Sequence, residues 1–330
     1  ELSRYIQKLK PKYSLEDISP VLFRYVKEFL LRQGKRVRPT LCVVAYLGYT
    51  KRPMPGLYAT ALSLELLHDF MLVHDDIIDK SDTRRGRPSM HTMLNAHLSS
   101  YGHLKFNGQD LAIIAGDVIY AMALDAFLSI KEEPARKEKA LIKLIEAALY
   151  TGSGEFVELL TGLKGLNAIS KNEIHMIYDL KTARYTFSYP LAIGATLAGA
   201  NEKEVARLMR YGLYVGRAFQ IQDDILGMFS EEKEIGKSNL TDLREGKKTL
   251  LMLEAYKNSD NINKRLIRKI LAKKNTSQLD LKKMRRIIFD SGALQKIKKE
   301  ISSCLKTAQS LLSLSCMKPL YKNMLDDYVK

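Results

Sequence analysis

LYATALSLELLHDFMLVHDDIID, residues 57–79, decides the fold. Leu62, Leu66, Val73 and Ile77 recur at helical spacing behind a Pro-Gly start, which predicts one long helix. That helix is apolar over most of its length and turns acidic only at its end. Asp75 and Asp79 are four residues apart, so both carboxylates project from one face with side-chain origins about 6 Å apart. Asp76 is turned roughly 100° away and need not share their task. Two like charges on one face repel unless a cation sits between them. An oxygen-only set with few protein ligands suits Mg²⁺ when phosphate supplies the remaining oxygens.

The same period recurs at 109–130, 137–150, 172–187, 202–229 and 247–256. Alternation of period two is missing, so strands should be few or absent. No Pro/Ser-rich linker divides the chain and no short repeat emerges. The expectation is an all-α protein: one domain over 1–330, a helical bundle of about a dozen helices, several apolar on most faces and therefore central.

Composition narrows the function classes. The chain has 330 residues, 46% of them hydrophobic, which excludes low-complexity disorder. Cys42, Cys304 and Cys316 cannot all pair, and with no secretory apolar segment at the start this points to a reducing cytoplasm. The six histidines lack an HExxH or CxxC partner, which argues against zinc. Uncharged apolar runs such as 189–200 are too short to span a bilayer. Gly152-Ser153-Gly154 lacks a third glycine and a preceding strand, so no dinucleotide fingerprint is present. Of the net charge of +16, residues 251–330 carry +11, from 18 basic and 7 acidic residues. There the basic residues alternate with apolar ones at helical spacing, as on a solvated face. A weak peripheral contact with an anionic membrane is the alternative, and nucleic acid is disfavoured because aromatic residues do not interleave with the charge.

A second acidic cluster, Phe219-Gln220-Ile221-Gln222-Asp223-Asp224, again closes an apolar helix. Adjacent acids at a helix end are often merely solvated. Two such clusters, accompanied by Arg84-Arg85 and by Lys237 and Lys247, supply anionic helices for Mg²⁺ and cationic loops for diphosphate.

With these motifs the sequence resembles the trans-isoprenyl diphosphate synthase (polyprenyl synthetase) family. The carriers, in order, are Gly34-Lys35-Arg36-Val37-Arg38-Pro39, His68 with Asp75–Asp79, and Asp82-Thr83-Arg84-Arg85-Gly86-Arg87-Pro88-Ser89. Gly116-Asp117, Lys181-Thr182, residues 219–224, Gly236-Lys237 and the 242–248 segment complete them. The second acidic motif ends in Gly227 where many relatives carry Asp.

The resemblance implies a bundle around a central apolar substrate cavity and a prenyltransferase. Its reaction is Mg²⁺-dependent head-to-tail condensation of isopentenyl diphosphate with an allylic diphosphate (dimethylallyl, geranyl or farnesyl), with release of pyrophosphate. Asp75, Asp79, Asp223 and Asp224 match its metal ligands, with three Mg²⁺ per site and Mn²⁺ as a substitute. Arg84, Lys181, Lys237 and Lys247 match positions that grip the allylic diphosphate, while Lys35, Arg38, His68 and Arg85 match those that hold isopentenyl diphosphate without metal. Thr182 and Gln220 would turn oxygen dipoles to the carbocation, with Phe219 adding a π-face. A homodimer is also implied. Arg36 has no assignment, His74 reads as packing beside the acids, and Met71, Met122 and Met176 read as core filler.

Rival readings are a class I terpene cyclase or squalene-type synthase, a catalytically silent subunit on the same scaffold, and a basic helical nucleic-acid binder. The first does not need a second diphosphate site, and intact aspartates disfavour the second. For product length, Phe70 lies about 7.5 Å and Leu67 about 12 Å below Asp75 along the helix, with the flexible Met71 between Phe70 and the acids. One aromatic at that depth resembles the archaeal-type geranylgeranyl synthases, so mainly C20 product is expected, with a farnesyl (C15) or bifunctional C15/C20 synthase as the alternative.

Overall fold

The computed structural model describes residues 1–230, 240–273 and 275–328. The chain opens with α1 (Leu2–Tyr13), α2 (Leu15–Ile18), α3 (Pro20–Leu30) and α4 (Val37–Tyr49). Then come α5 (Leu57–Ile78), a two-residue hairpin β1 (Thr83–Arg84) and β2 (Arg87–Pro88), α6 (Met90–Leu98), α7 (Gly108–Phe127) and α8 (Pro134–Gly162). Next are α9 (Lys171–Tyr178), a π-helical stretch (Asp179–Ser188), α10 (Tyr189–Leu197) and α11 (Glu202–Phe229). The C-terminal part contains α12 (Thr241–Arg244), α13 (Leu250–Asn258), α14 (Asn261–Leu271), α15 (Gln278–Asp290), α16 (Ala293–Ser313) and α17 (Pro319–Tyr328).

The expected all-α bundle is what forms. Helix α5 is central: Leu64, Leu66 and Val73 have no exposure, and α7 and α4 pack along it. Burying residues on most of its circumference explains why its apolar pattern is wider than one stripe. Helix α11 is flanked by the π-helical stretch and by α16. Three apolar clusters result, one around α5 and α7, one around α13 and α15, and one between α4, α10 and α11.

Three elements in the first two thirds of the chain depart from their expected bounds. The helix expected over 109–130 stops at Phe127: the Leu128 and Ser129 N–H groups still bond back to Leu124 O and Ala126 O, but the Ile130 N–H donates to Thr60 Oγ1 at 3.0 Å and the Lys131 N–H to Pro55 O at 3.0 Å. The helix expected over 137–150 runs from Pro134 to Gly162, and within the added part Gly154 faces the π-helical stretch; a Cβ there would lie 2.8 Å from Leu180 Cβ. The segment expected as regular helix over 172–187 widens into the π form from Asp179. Opposite it, a Cβ on Gly216 would come 2.4 Å from Ala183 Cα, so glycine permits the close approach that seats Thr182 beside Gln220. Such π-helical turns concentrate at functional sites. Met176 corrects another expectation: it is 43% exposed, not core filler, whereas Met122 is buried.

The small hairpin was not anticipated. Arg85 and Gly86 adopt left-handed backbone (φ 55° and 71°), as a two-residue turn between antiparallel strands requires. Its base is tied down by the Ser89 N–H donating to Asp82 O at 2.9 Å. The turn fixes where two consecutive arginines point.

Candidate active site

Asp75 and Asp79 close α5 and meet Glu155 of α8; one ligand oxygen from each lies within 4.8 Å of the others. Burial, then the charges of Asp75 and Glu245, push the Asp79 carboxyl up to about 7. Burial raises Glu155 as well, although Lys181 opposes it. These carboxylates therefore repel one another, and a divalent cation accepting oxygen donors would relieve that repulsion. Among the described residues this cluster fits Mg²⁺ by donor type and spacing.

Lys181, from the π-helical stretch, reaches into the cluster. Its Nζ lies 3.8 Å from Asp75 Oδ1, bonds Glu158 Oε2 at 2.6 Å and pairs with Glu155. Burial alone would lower this ammonium's pKa, but Glu158, Asp75 and Glu155 together raise it, so it stays charged. Lys247 acts on the same neighbourhood, since its charge helps to hold Glu158 low against burial. It lies in the turn before α13, which begins at Leu250 rather than at Lys247 because Thr249 caps the Met252 N–H.

Arg84 leans on the same helix end. Its Nε donates to Asp76 Oδ1 at 2.7 Å, and its Nη2 lies 3.6 Å from Asp75 Oδ2. Asp76 is fully buried, so its role is to hold this arginine rather than to face an ion.

The second acidic pair lies on α11. Thr182 Oγ1 donates to Gln220 Oε1 at 2.6 Å, and Gln220 Nε2 donates to Asp224 Oδ1 at 2.9 Å. Asp224 is 4% exposed and also accepts from the Tyr178 hydroxyl, whereas Asp223 beside it is exposed. The structure thus presents Asp223 to solvent and Asp224 to an internal hydrogen-bond chain. Gly227 is buried in the helix. Phe219 packs against Phe187, ring centroids 5.4 Å apart. Lys237 lies outside the described residues.

A separate cationic cluster surrounds the middle of α5. The Arg38 guanidinium sits 4.3 Å from the Tyr185 ring centroid and donates to Thr186 Oγ1 at 2.8 Å. The His68 ring lies 6.0 Å from the same tyrosine; burial, then Arg38 and Arg85, drive its pKa well down, so it is neutral. Arg85 Nη2 lies 3.2 Å from Asp69 Oδ1 and 3.5 Å from Glu65 Oε1. Arg36, unassigned from sequence, pairs with Glu65 and donates to Arg32 O at 2.6 Å and Leu30 O at 3.1 Å. Lys35 is exposed at the edge.

Sequence reasoning missed Glu65, Asp69, Glu155, Glu158 and Tyr178. Glu65 and Asp69 were visible as a second acidic pair four apart within an apolar helix; the others sit on distant elements and carry no local signal. Below the acids, the half-buried Phe70 ring packs 4.7 Å from the ring of His74 and 5.1 Å from that of Tyr120. Leu67 is 1% exposed and Met71 partly buried. His74 sits against α7: its Nε2 lies 3.2 Å from Ile113 O and 3.9 Å from Asp117 Oδ1. A cleft of about 360 Å³ lies elsewhere, between α3, α6 and α7, lined by Tyr25, Leu94, Phe106 and Ile114 among others.

The polyprenyl synthetase family model matches residues 19–288. The chain is 32% identical over 271 residues to a short chain isoprenyl diphosphate synthase of Methanocaldococcus jannaschii, covering 82% of this chain and 77% of that protein. It is 34% identical over 257 residues to a geranylgeranyl diphosphate synthase of Saccharolobus solfataricus, covering 77% and 72%. The crystal structure of a geranylgeranyl pyrophosphate synthase from Corynebacterium glutamicum, complexed with isoprenyl diphosphate and magnesium, superposes with a TM-score of 0.90. Identity to it is 26%, with 99% of this chain and 94% of that one covered. An all-α bundle with acidic clusters facing basic loops is the architecture of an isoprenyl-type synthase, and this chain belongs to the polyprenyl synthetase family.

The raised Asp79 carboxyl has a stability consequence. Its folded pKa lies above its unfolded value of 3.8, so the unfolded chain gives up this proton more readily and stability falls as pH rises from about 4 through about 7. In chelator, Asp79→Asn should therefore be more stable than the parent above pH 7, by on the order of 1 kcal/mol after allowing for solvent screening. The gain should vanish below pH 4. Thermal melts across that range check it.

Proposed function

We propose that this protein condenses isopentenyl diphosphate head-to-tail with an allylic diphosphate, releasing pyrophosphate and giving mainly geranylgeranyl diphosphate. One observation carries this reading: two unlike anion-handling clusters share one helix. His68 and Asp75 are seven residues apart on α5, about 10 Å along its axis. One cluster pairs carboxylates that call for a cation; the other is cationic without metal. Two diphosphates held by such different means can bring one allylic carbon to one double bond. A terpene cyclase has no use for the second cluster.

Asp75, Asp79 and Glu155, with Asp223 across the site, would hold Mg²⁺; Asp224, held internally, supports them. Three ions per site, with Mn²⁺ as a substitute, is our reading. When bound, Mg²⁺ neutralises the leaving pyrophosphate. Lys181, Arg84 and Lys247, with Lys237, would grip that diphosphate, and their permanent charges stabilise the charge that grows on it as the C–O bond breaks. The allylic cation is then attacked by the double bond of isopentenyl diphosphate, and a proton leaves to the departing pyrophosphate. Gln220 and Thr182 face the reacting carbon with neutral oxygens. Neutral His68 can donate a hydrogen bond without adding charge, while Arg38, Arg85 and Lys35 bind the second diphosphate.

Phe70 is our stop for the growing chain. Its ring is locked against Tyr120 and His74, so a tail descending past Asp75 meets a fixed obstacle. Among the described residues no helix is long and apolar enough to cross a membrane. All three cysteines are free, and we place the enzyme in the cytoplasm. The basic C-terminal third reads as a solvated face, with Lys273 paired to Asp280 and Lys296 to Glu254; weak contact with an anionic membrane is the alternative. We treat residues 1–330 as one domain. Ile142, Ile145, Leu149, Phe156 and Leu160 leave an exposed apolar stripe along α8, and a second copy of this chain is the partner that would cover it.

Pyrophosphate release from isopentenyl plus dimethylallyl diphosphate should require Mg²⁺, and Asp75→Ala should lower turnover by at least about 10²-fold. No Mg²⁺-dependent release with any C5–C15 allylic primer would end this reading. Phe70→Ala should shift products beyond C20 with ionisation intact; an unchanged product chromatogram removes Phe70 as the stop. Sedimentation should give a dimer that Leu149→Glu with Phe156→Glu converts to monomer.

A further inference from the structure

Six buried side-chain polar atoms without a hydrogen-bond partner gather in one place: Arg38 Nε, Glu65 Oε2, both Asp69 oxygens, Arg85 Nη1 and Tyr185 Oη. Buried polar atoms are nearly always satisfied, so a cluster of orphans marks a place completed by something else. The two nitrogens are donors suited to an incoming diphosphate. The three carboxylate oxygens are acceptors, which a diphosphate cannot satisfy. The Tyr185 hydroxyl, itself without a partner, donates to none of them; they need a donor, and the smallest available is a proton.

The charges around Asp69 lead to the same conclusion. It is fully buried on α5. From its own helix it faces Glu65 and the neutral His68; from the loop before α4, Arg36; from α4, Arg38; from the hairpin turn, Arg85; from the π-helical stretch, the Tyr185 hydroxyl. Three guanidinium groups oppose two carboxylates, and a diphosphate arriving on Arg38 and Arg85 turns the balance negative. Neutralising one carboxylate removes part of that excess. Glu65 already has Arg36 bonded to it, whereas Asp69 has only ion-pair contacts outside hydrogen-bond geometry. Asp69 is the one to yield.

We propose that Asp69 takes up a proton when isopentenyl diphosphate binds, making it the residue that sets the affinity of this site and couples it to pH. Asp69 does not touch the substrate; it acts through Arg85. The inference rests on the reading of the basic cluster as the isopentenyl diphosphate site. Burial and the Glu65 charge already hold the Asp69 carboxyl up to about 7, so the approach of a further anion moves it upward from a point close to neutrality.

Isothermal calorimetry of isopentenyl diphosphate binding to the full chain in chelator, in two buffers of different ionisation enthalpy, gives the protons taken up per site. At pH 7.5 the wild type should take up at least about 0.3 proton more than Asp69→Asn, the ligand's own titration being common to both. Between pH 6.5 and 8.5 its KM for isopentenyl diphosphate should rise at least about threefold more than the variant's, while the KM for the allylic substrate changes alike in both. Asp69→Thr, smaller and equally neutral, stands in if the asparagine chain does not fold. Equal proton uptake, or parallel pH profiles, in a wild type that binds and turns over would overturn the inference alone. A wild type that neither binds isopentenyl diphosphate nor turns it over would remove the functional reading and this inference with it.

Discussion

The site depends on one ammonium group among carboxylates. Lys181 stands against Asp75, Glu155 and Glu158. Without it, Asp75, Asp79 and Glu155 would crowd negative charge at the end of a helix whose body is buried in hydrocarbon. With it, the cluster is tolerable but unfinished: Asp79 is still pushed far from its ordinary pKa. This residual repulsion gives the site its appetite for divalent cations. The fold stores a modest electrostatic cost that metal and diphosphate together remove.

Lys181 can stand there only because backbones come close. The π-helical stretch that carries it is seated between Gly154 on α8 and Gly216 on α11, where larger residues would collide with Leu180 and Ala183. The same seating brings Thr182 onto Gln220, which in turn bonds Asp224 one turn further along α11, so the π-helical stretch is tied to the second acidic motif through hydrogen bonds. Backbone packing of small residues thus sets polar geometry at the centre of the bundle. The wide π turn matters as well, since it changes which residues of 179–188 point inward relative to a regular helix.

The arginine cluster follows the opposite logic. Arg36, Arg38 and Arg85 converge from three elements on acids of α5, and burial together with their charges holds His68 neutral. On the proposed reading, a diphosphate site is thereby kept from excessive positive charge before the substrate arrives. Glu65 and Asp69 temper it from within, so affinity at one cluster and repulsion at the other are governed by residues of the same helix.

The sequence alone determined the helical class, because hydrophobic period is a local property, and it determined the bounds of 57–79 and 202–229 closely. It also determined the residue types of the two acidic motifs and the paired arginines, since four-residue spacing projects Asp75 and Asp79 from one face whatever surrounds them. Only the tertiary structure decided that Glu155 and Glu158 join this cluster, that Arg36 belongs to Glu65, and that Asp224 turns inward to Tyr178. Those partners lie on separate elements, tens of residues away, and no periodicity encodes such contacts. The π-helical form of 179–188 was equally illegible, because its close seating against Gly154 and Gly216 depends on residues of other helices. Local chemistry is written in spacing, whereas charge balance in a buried site is set by which helices meet.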